Sequence, residues 1–164
     1  FKMKNNMRHI IFLISVLLTF SNGLFAQQNQ EPWSNSQLLE PAALASKIGK
    51  NQTDSLLILS VDPMRYQSSV DIRSTHEQEN IKKLKGCLKN VPKDKEVIIY
   101  CGCCPFDKCP NIRPAFKALK DMGFKNAKLL NLPKNIKVNW IGKDYPQATN
   151  DEKTFFFLAI TAYS

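Results

Sequence analysis

The sequence lacks the long hydrophobic run that a membrane-spanning helix requires. Its main apolar stretch, from Ile10 to Phe20, is shorter than the roughly 20 residues of such a helix. It also lacks a nucleic-acid-binding motif and any segment in which aromatic and basic residues alternate. No internal repeat is visible. We therefore expect no nucleic-acid partner, and no membrane association once the leader described below is removed.

Histidine is scarce, with two residues in the chain. His76 lies in a polar loop, and we interpret it as solvated rather than as a catalytic base. None of the cysteines in the central loop has an arginine six positions further on. This spacing argues against a cysteine phosphatase of the C-x5-R type.

Composition and charge are those of one globular domain. Apolar residues make up 43% and charged residues 23% of the 164 residues, which suffice to bury a core. The formal net charge is +9, but Lys2, Lys4 and Arg8 lie in the leader, and without them the charge falls to +6. We expect at most a mild preference for anionic substrates.

The first 26 residues predict a secretory signal peptide. Met3 to Ala26 has a basic start, a short apolar stretch and a small residue at a suitable cleavage point, and Met3 or Met7 is the expected start. We predict export to the periplasm or the exterior, with an uncut membrane anchor as the alternative. Residues 27–36 are expected to form a flexible lead-in, and residues 148–164 stay unassigned.

Apolar patterning predicts alternating strands and helices. Val97 to Tyr100 is apolar on both faces, as in a central strand of a parallel sheet. Asp62 to Asn80 is expected to form a loop. It should lie beside the cysteine-rich loop that follows Tyr100, because the carboxyl ends of parallel strands meet at the same edge of a sheet. The other predicted elements are helices over Leu38–Ile48, Ile81–Val91 and the segment closed by Gly123, strands over Ser55–Val61 and Ala127–Leu132, and a short helix or turn over Ile136–Ile141.

Cys101 directly follows the central predicted strand and precedes a helix. Asn111 is the expected N-cap of that helix, because Pro114 fits only within a first turn. A helix N-terminus favours negative charge and lowers the pKa of a nearby thiol. The pattern predicts that Cys101 is a thiolate nucleophile surrounded by main-chain N–H groups.

Cys103, Cys104 and Cys109 allow three interpretations. All cysteines follow the leader, so in an oxidising compartment a disulfide from Cys109 to Cys103 or Cys104 is the leading one. A redox pair, Cys101 with Cys104, is second. Metal binding is third, because paired C-x-x-C knuckles are lacking, and we expect no metal and no cofactor. Cys87 is predicted to pack as a small hydrophobe.

Residues 37–147 resemble a rhodanese-like domain. The resemblance rests on Tyr100-Cys101 after an apolar strand, on Met122-Gly123-Phe124, on Trp140, and on the loop CGCCPFDKCPNIRPAF, which is similar to that of an exported bacterial subgroup. It implies a three-layer α/β fold with a central parallel sheet, and a sulfurtransferase that carries sulfane sulfur as a persulfide on Cys101.

The resemblance also implies roles for the loop and for partners. Arg113 would hold the anionic substrate or close the loop, and Gly102, Cys103, Cys104, Cys109 and Asn111 would complete the active loop. The implied partners are a small anionic sulfur donor such as thiosulfate and a thiol acceptor. The loop is longer than is usual in the family, with twelve positions from Cys101 to Arg113. Two alternatives stay open: a thiol–disulfide oxidoreductase, and a non-catalytic module with a disulfide- or metal-stapled loop.

Overall fold

The computed structural model describes residues 31–53, 55–62 and 69–147. The predicted signal peptide (residues 1–26), residues 27–30 of the predicted lead-in and the unassigned residues 148–164 lie outside the described residues. None of the helices formed by the described residues is both long and apolar enough to span a membrane.

Five parallel strands form one sheet in the order β1-β5-β4-β2-β3. The strands are β1 (Leu38–Leu39), β2 (Leu56–Ser60), β3 (Val70–Asp71), β4 (Glu96–Tyr100) and β5 (Ala127–Leu130). The helices are α1 (Pro41–Gly49), α2 (Gln78–Cys87), α3 (Ile112–Asp121) and α4 (Ile136–Asn139), with short 3-10 helices at Asn35–Gln37, Phe106–Lys108 and Ile141–Lys143. The predicted α/β class with a central parallel sheet is confirmed, and helices cover both faces of the sheet, which is consistent with a rhodanese-like three-layer fold.

The central strand β4 is buried on both faces because each face is covered by helices. Val97 and Ile99 pack in the core that α2 and α3 form with the sheet. Ile98 and Tyr100 pack in the opposite core with residues of α1 and α4. This two-sided burial explains the continuous apolar run in the sequence.

The two edge strands of the sheet differ from the sequence-based prediction. Leu38 and Leu39 form the edge strand β1, paired with β5, whereas the predicted helix included them. The helix starts only at Pro41, which occupies its first turn as predicted. Because the residue before a proline disfavours the α conformation, the chain stays extended up to that point. The strand β3 at the other edge lies in the segment predicted as loop.

Helix α2 is displaced towards the N-terminus relative to its prediction. It runs from Gln78 to Cys87, whereas apolar spacing placed it at Ile81–Val91. Leu88 and Val91 are buried, but they lie in the turn that follows the helix. The apolar spacing therefore continued past the last helical residue. Cys87 packs against the core, as expected for a small apolar side chain.

Helix α3 follows the prediction closely. Pro114 lies in its first turn, and Gly123 just after it has a φ of +82°, the left-handed conformation expected of a C-terminal glycine. Its buried face consists of Ile112, Ala115, Phe116, Ala118 and Leu119. This face fixes α3 against the sheet, and it thereby fixes where the helix N-terminus points.

Candidate functional site

The candidate site lies where β2 and β4 end. These two strands are parallel neighbours, so their carboxyl ends meet at the same edge of the sheet. Asp62 follows β2, and the loop of residues 101–111, here called the cysteine loop, follows β4. The prediction that the 62–80 segment lies beside this loop is confirmed for Asp62, Thr75 and His76, which hydrogen-bond with the loop, while residues 63–68 lie outside the described residues.

The buried side chain of Asp62 holds the start of the cysteine loop. Its Oδ2 accepts hydrogen bonds from the main-chain N–H of Gly102 and, at 3.0 Å, from that of Cys103. Its Oδ1 accepts a hydrogen bond from Ser60 Oγ at 3.3 Å. The sequence predicts that these loop N–H groups surround the sulfur of Cys101. The N–H of Gly102 is directed to the carboxylate instead, whereas the N–H of Cys103 is shared between Asp62 Oδ2 and the sulfur of Cys101.

Three thiols form a compact group at the start of the loop, here called the thiol cluster. Cys101 Sγ lies 3.3 Å from Cys103 Sγ and 3.8 Å from Cys104 Sγ, and the sulfurs of Cys103 and Cys104 are 3.3 Å apart. The thiol of Cys109 hydrogen-bonds with those of Cys101 and Cys104, and so belongs to the cluster. Cys101 and Cys109 are 1% and 0% exposed, whereas Cys103 reaches the surface.

The start of α3 stabilises negative charge on Cys109. The hydrogen bond from the Cys101 thiol lowers the pKa of Cys109 to about 6, and the N–H groups of Asn111 and Ile112 add to this against the effect of burial. The hydrogen bond to Cys109, followed by burial, raises the pKa of Cys101 well above its usual range. The prediction of a thiolate nucleophile at Cys101 stays a prediction. The donors at the start of α3 face Cys109, which lies next to the helix in sequence.

The thiol of Cys104 is kept protonated. Burial, followed by the hydrogen bond with Cys103, raises the pKa of Cys104 to about 12. All five cysteines of the chain lie in the described residues and are free thiols, so the expected disulfide from Cys109 to Cys103 or Cys104 is not formed in the structure. The protonated thiol of Cys104 therefore lies beside the hydrogen-bonded pair of Cys101 and Cys109.

Main-chain contacts attach the cysteine loop to the connection between β5 and α4. Phe106 N–H donates to Leu132 O at 3.1 Å, and Ile136 N–H donates to Gly102 O at 3.0 Å. Between these points the loop forms the 3-10 helix Phe106–Lys108. The thiols are thus held in a loop that is bonded to the neighbouring chain segments on more than one side.

Asn111 joins the loop to the 69–80 segment, and its side chain does not cap α3. Its Oδ1 accepts a hydrogen bond from the main-chain N–H of His76 at 3.1 Å and lies 3.0 Å from the ring Nδ1 of His76. Its main-chain oxygen accepts a hydrogen bond from Thr75 Oγ1 at 2.6 Å. The prediction that His76 is simply solvated is incomplete, because its ring has this partner although the side chain is 56% exposed.

Arg113 lies on the outer side of the loop. Its Nη2 donates to Asp107 O at 2.6 Å, and its guanidinium lies over the ring of Trp33, 5.7 Å from the centroid. Of the two roles that the resemblance implies for Arg113, this geometry fits closing the loop.

Trp33 covers the loop and the helix that follows it. Its ring packs against Phe106 and Phe116, with centroid distances of 6.2 Å and 5.8 Å. The sequence placed Trp33 in a flexible lead-in of residues 27–36. The part of this lead-in that contains Trp33 instead belongs to the fold, because an aromatic ring that covers apolar side chains stabilises the structure.

Comparisons with known proteins add no assignment. No protein-family model matches the sequence, and no curated protein matches it.

Proposed function

We propose that this protein is an exported rhodanese-like sulfurtransferase that carries sulfane sulfur as a persulfide on Cys101. The observation that supports the proposal is the position of Cys101. This residue directly follows the central strand, and its sulfur lies 3.3 Å from the exposed thiol of Cys103. A sulfur donor that arrives at the surface therefore meets the thiol of Cys103 next to the buried sulfur of Cys101.

Cys109 takes up the proton that this chemistry must remove. Cys101 is a nucleophile only as a thiolate, and its thiol already shares a hydrogen bond with the sulfur of Cys109. When that proton moves from Cys101 to Cys109, the negative charge of the pair resides on Cys101. The thiolate of Cys101 attacks the outer sulfur of a donor such as thiosulfate. The sulfur–sulfur bond of thiosulfate breaks, sulfite leaves with the electron pair, and the persulfide forms on Cys101. A thiol acceptor then removes the outer sulfur.

Intact mass spectrometry tests the proposal. The reduced protein is incubated with thiosulfate, and the mass gain of one sulfur atom is measured with the formation of thiocyanate from cyanide. We expect both in the wild type and in Cys87→Ser, a control whose thiol lies on α2 outside the cluster. Cys101→Ser is expected to lose both. Persulfide formation that survives in Cys101→Ser would assign the carrier to another cysteine and overturn the proposal.

A thiol–disulfide oxidoreductase is the second candidate function. It is favoured by the sulfur of Cys104, which lies 3.8 Å from that of Cys101 and could form a disulfide after a small movement. This function predicts reduction of insulin disulfides that is lost in both Cys101→Ser and Cys104→Ser. Sulfur transfer predicts that Cys104→Ser still gains one sulfur from thiosulfate, so the same variant separates the two functions.

A further inference from the structure

Three sulfurs of the thiol cluster lie close to the spacing of a metal coordination shell. The sulfurs of Cys101, Cys103 and Cys104 all lie within 4.8 Å of one another, and the three pairs are 3.3 to 3.8 Å apart. Metal–sulfur bonds of about 2.3 Å in a tetrahedron place the sulfur atoms about 3.8 Å apart. The sulfurs of these three cysteines therefore need to separate by no more than a few tenths of an ångström to bind one ion.

Cys109 lies beside these three sulfurs as a fourth, although the group of sulfurs within 4.8 Å of one another does not include it, and it completes the shell by moving towards the ion. It is fully buried, and its thiol contacts those of Cys101 and Cys104. The main-chain N–H groups of Asn111 and Ile112 donate to this sulfur, and the N–H of Cys103 donates to that of Cys101. Hydrogen bonds of this kind stabilise thiolate ligands and orient them towards a metal ion.

Three of the four sulfurs lie together before any ion binds. Cys101 is fixed by β4 and Cys109 by the start of α3, while Asp62 binds the main chain of Cys103 at 3.0 Å. A site whose ligands are already placed loses little conformational entropy when it is filled. The contacts of the loop with α4, β2 and α3 therefore favour binding as well as stability.

We propose that Cys101, Cys103, Cys104 and Cys109 bind one thiophilic metal ion, with Zn²⁺ as the reference ion. Four sulfur ligands select such an ion over the hard cations Mg²⁺ and Ca²⁺, which take oxygen ligands. Binding requires no oxidation: each thiol loses its proton to solvent as its sulfur bonds to the ion. The site replaces the sequence-based expectation that the chain holds no metal. It does not depend on sulfur transfer, and its test uses no sulfur donor.

Titration of the reduced full chain with Co²⁺, without oxygen, tests the site. We expect one Co²⁺ per chain, sulfur-to-cobalt charge-transfer absorption and the visible bands of a tetrahedral ion, all removed when Zn²⁺ displaces Co²⁺. Cys103→Ser is expected to weaken binding more than tenfold, whereas Cys87→Ser binds as the wild type does. Absence of the sulfur bands in the wild type, or an equal loss in both variants, overturns the proposal.

Thiol protection is measured in the unmutated chain, so its result does not depend on whether a cysteine variant folds. The protein has five free cysteines, of which four are in the cluster. With Zn²⁺ present, we expect an alkylating reagent to modify Cys87 at its usual rate and the four cluster thiols much more slowly, as mass spectrometry of peptides would show. If Zn²⁺ leaves the alkylation of the cluster unchanged, no metal binds there. If it slows Cys101, Cys103 and Cys104 but leaves Cys109 unchanged, the four-sulfur shell is wrong.

Discussion

Asp62 accepts a hydrogen bond from the main-chain N–H of Cys103 at 3.0 Å, across 41 positions of sequence. The contact joins the ends of two neighbouring parallel strands through one buried carboxylate. It gives the thiol cluster a fixed start, and the same N–H also donates to the sulfur of Cys101. The position of the thiols therefore depends on a residue that carries no thiol.

Removing this carboxylate is expected to destabilise the fold. In Asp62→Ala, two main-chain N–H groups lose their acceptor in the interior, and the free energy of unfolding should fall by about 3 kcal/mol. Urea denaturation measures the change. Asp121→Ala is the matched control, because it removes an exposed carboxylate paired with Lys117, and should cost less than about 1 kcal/mol. Equal losses in the two variants would contradict the assigned role of Asp62.

Gly102 is expected to tolerate no side chain. A Cβ at this position would lie 3.1 Å from Asp62 Oδ2 and 3.1 Å from Ile136 Cγ2, and the hydrogen bonds of Asp62 keep its carboxylate from moving away. We expect Gly102→Ala to lower the free energy of unfolding by about 1–2 kcal/mol. Gly86→Ala is the comparison, since nothing lies within 4 Å of its Cβ and α2 should gain about 0.5–1 kcal/mol. Thermal denaturation should therefore move in opposite directions for the two variants.

The side chain of Asn111 is expected to matter as an acceptor. Asn111→Ala leaves the main-chain N–H of His76 without its partner and should cost about 1–2 kcal/mol in denaturant unfolding. Asn111→Asp keeps the accepting oxygen, so it should lose less than the alanine variant. A larger loss for Asn111→Asp would show that the amide N–H₂, rather than Oδ1, makes the stabilising contact.

Metal binding and persulfide formation are expected to compete, since both proposals use the sulfur of Cys101. Zinc-loaded protein should gain no sulfur from thiosulfate, and a chelator should restore the gain. Intact mass spectrometry, run with and without the chelator, measures both states. A full gain of sulfur by the zinc-loaded wild type would show that the ion leaves Cys101 free.

The central part of the fold could be predicted because its signals are local. The apolar run of β4 and the helical spacing of α3 each record burial that neighbouring residues share. The edge strands β1 and β3 each span two residues, too few for a period to appear, and they exist because β5 and β2 offer them open edges. Such pairing depends on residues that are distant in sequence.

The site could be predicted as a set of residues but not as an arrangement. The sequence identified the four cysteines of the loop. Which sulfur faces the helix N-terminus is decided by how the loop turns between them, and no local pattern records that path. Asp62 was identified only as the first residue of the predicted 62–80 loop.

The stacking of Trp33 on Phe106 gives the protein an optical reporter of its own thiols. The chain has two tryptophans, and the other, Trp140, packs against Tyr145 in the core on the opposite face of the sheet. The emission wavelength of an indole ring depends on the polarity of its surroundings. Chemistry that shifts the loop should thus alter the fluorescence of Trp33 and leave that of Trp140 as an internal standard, which makes events at the cysteines visible without a dye.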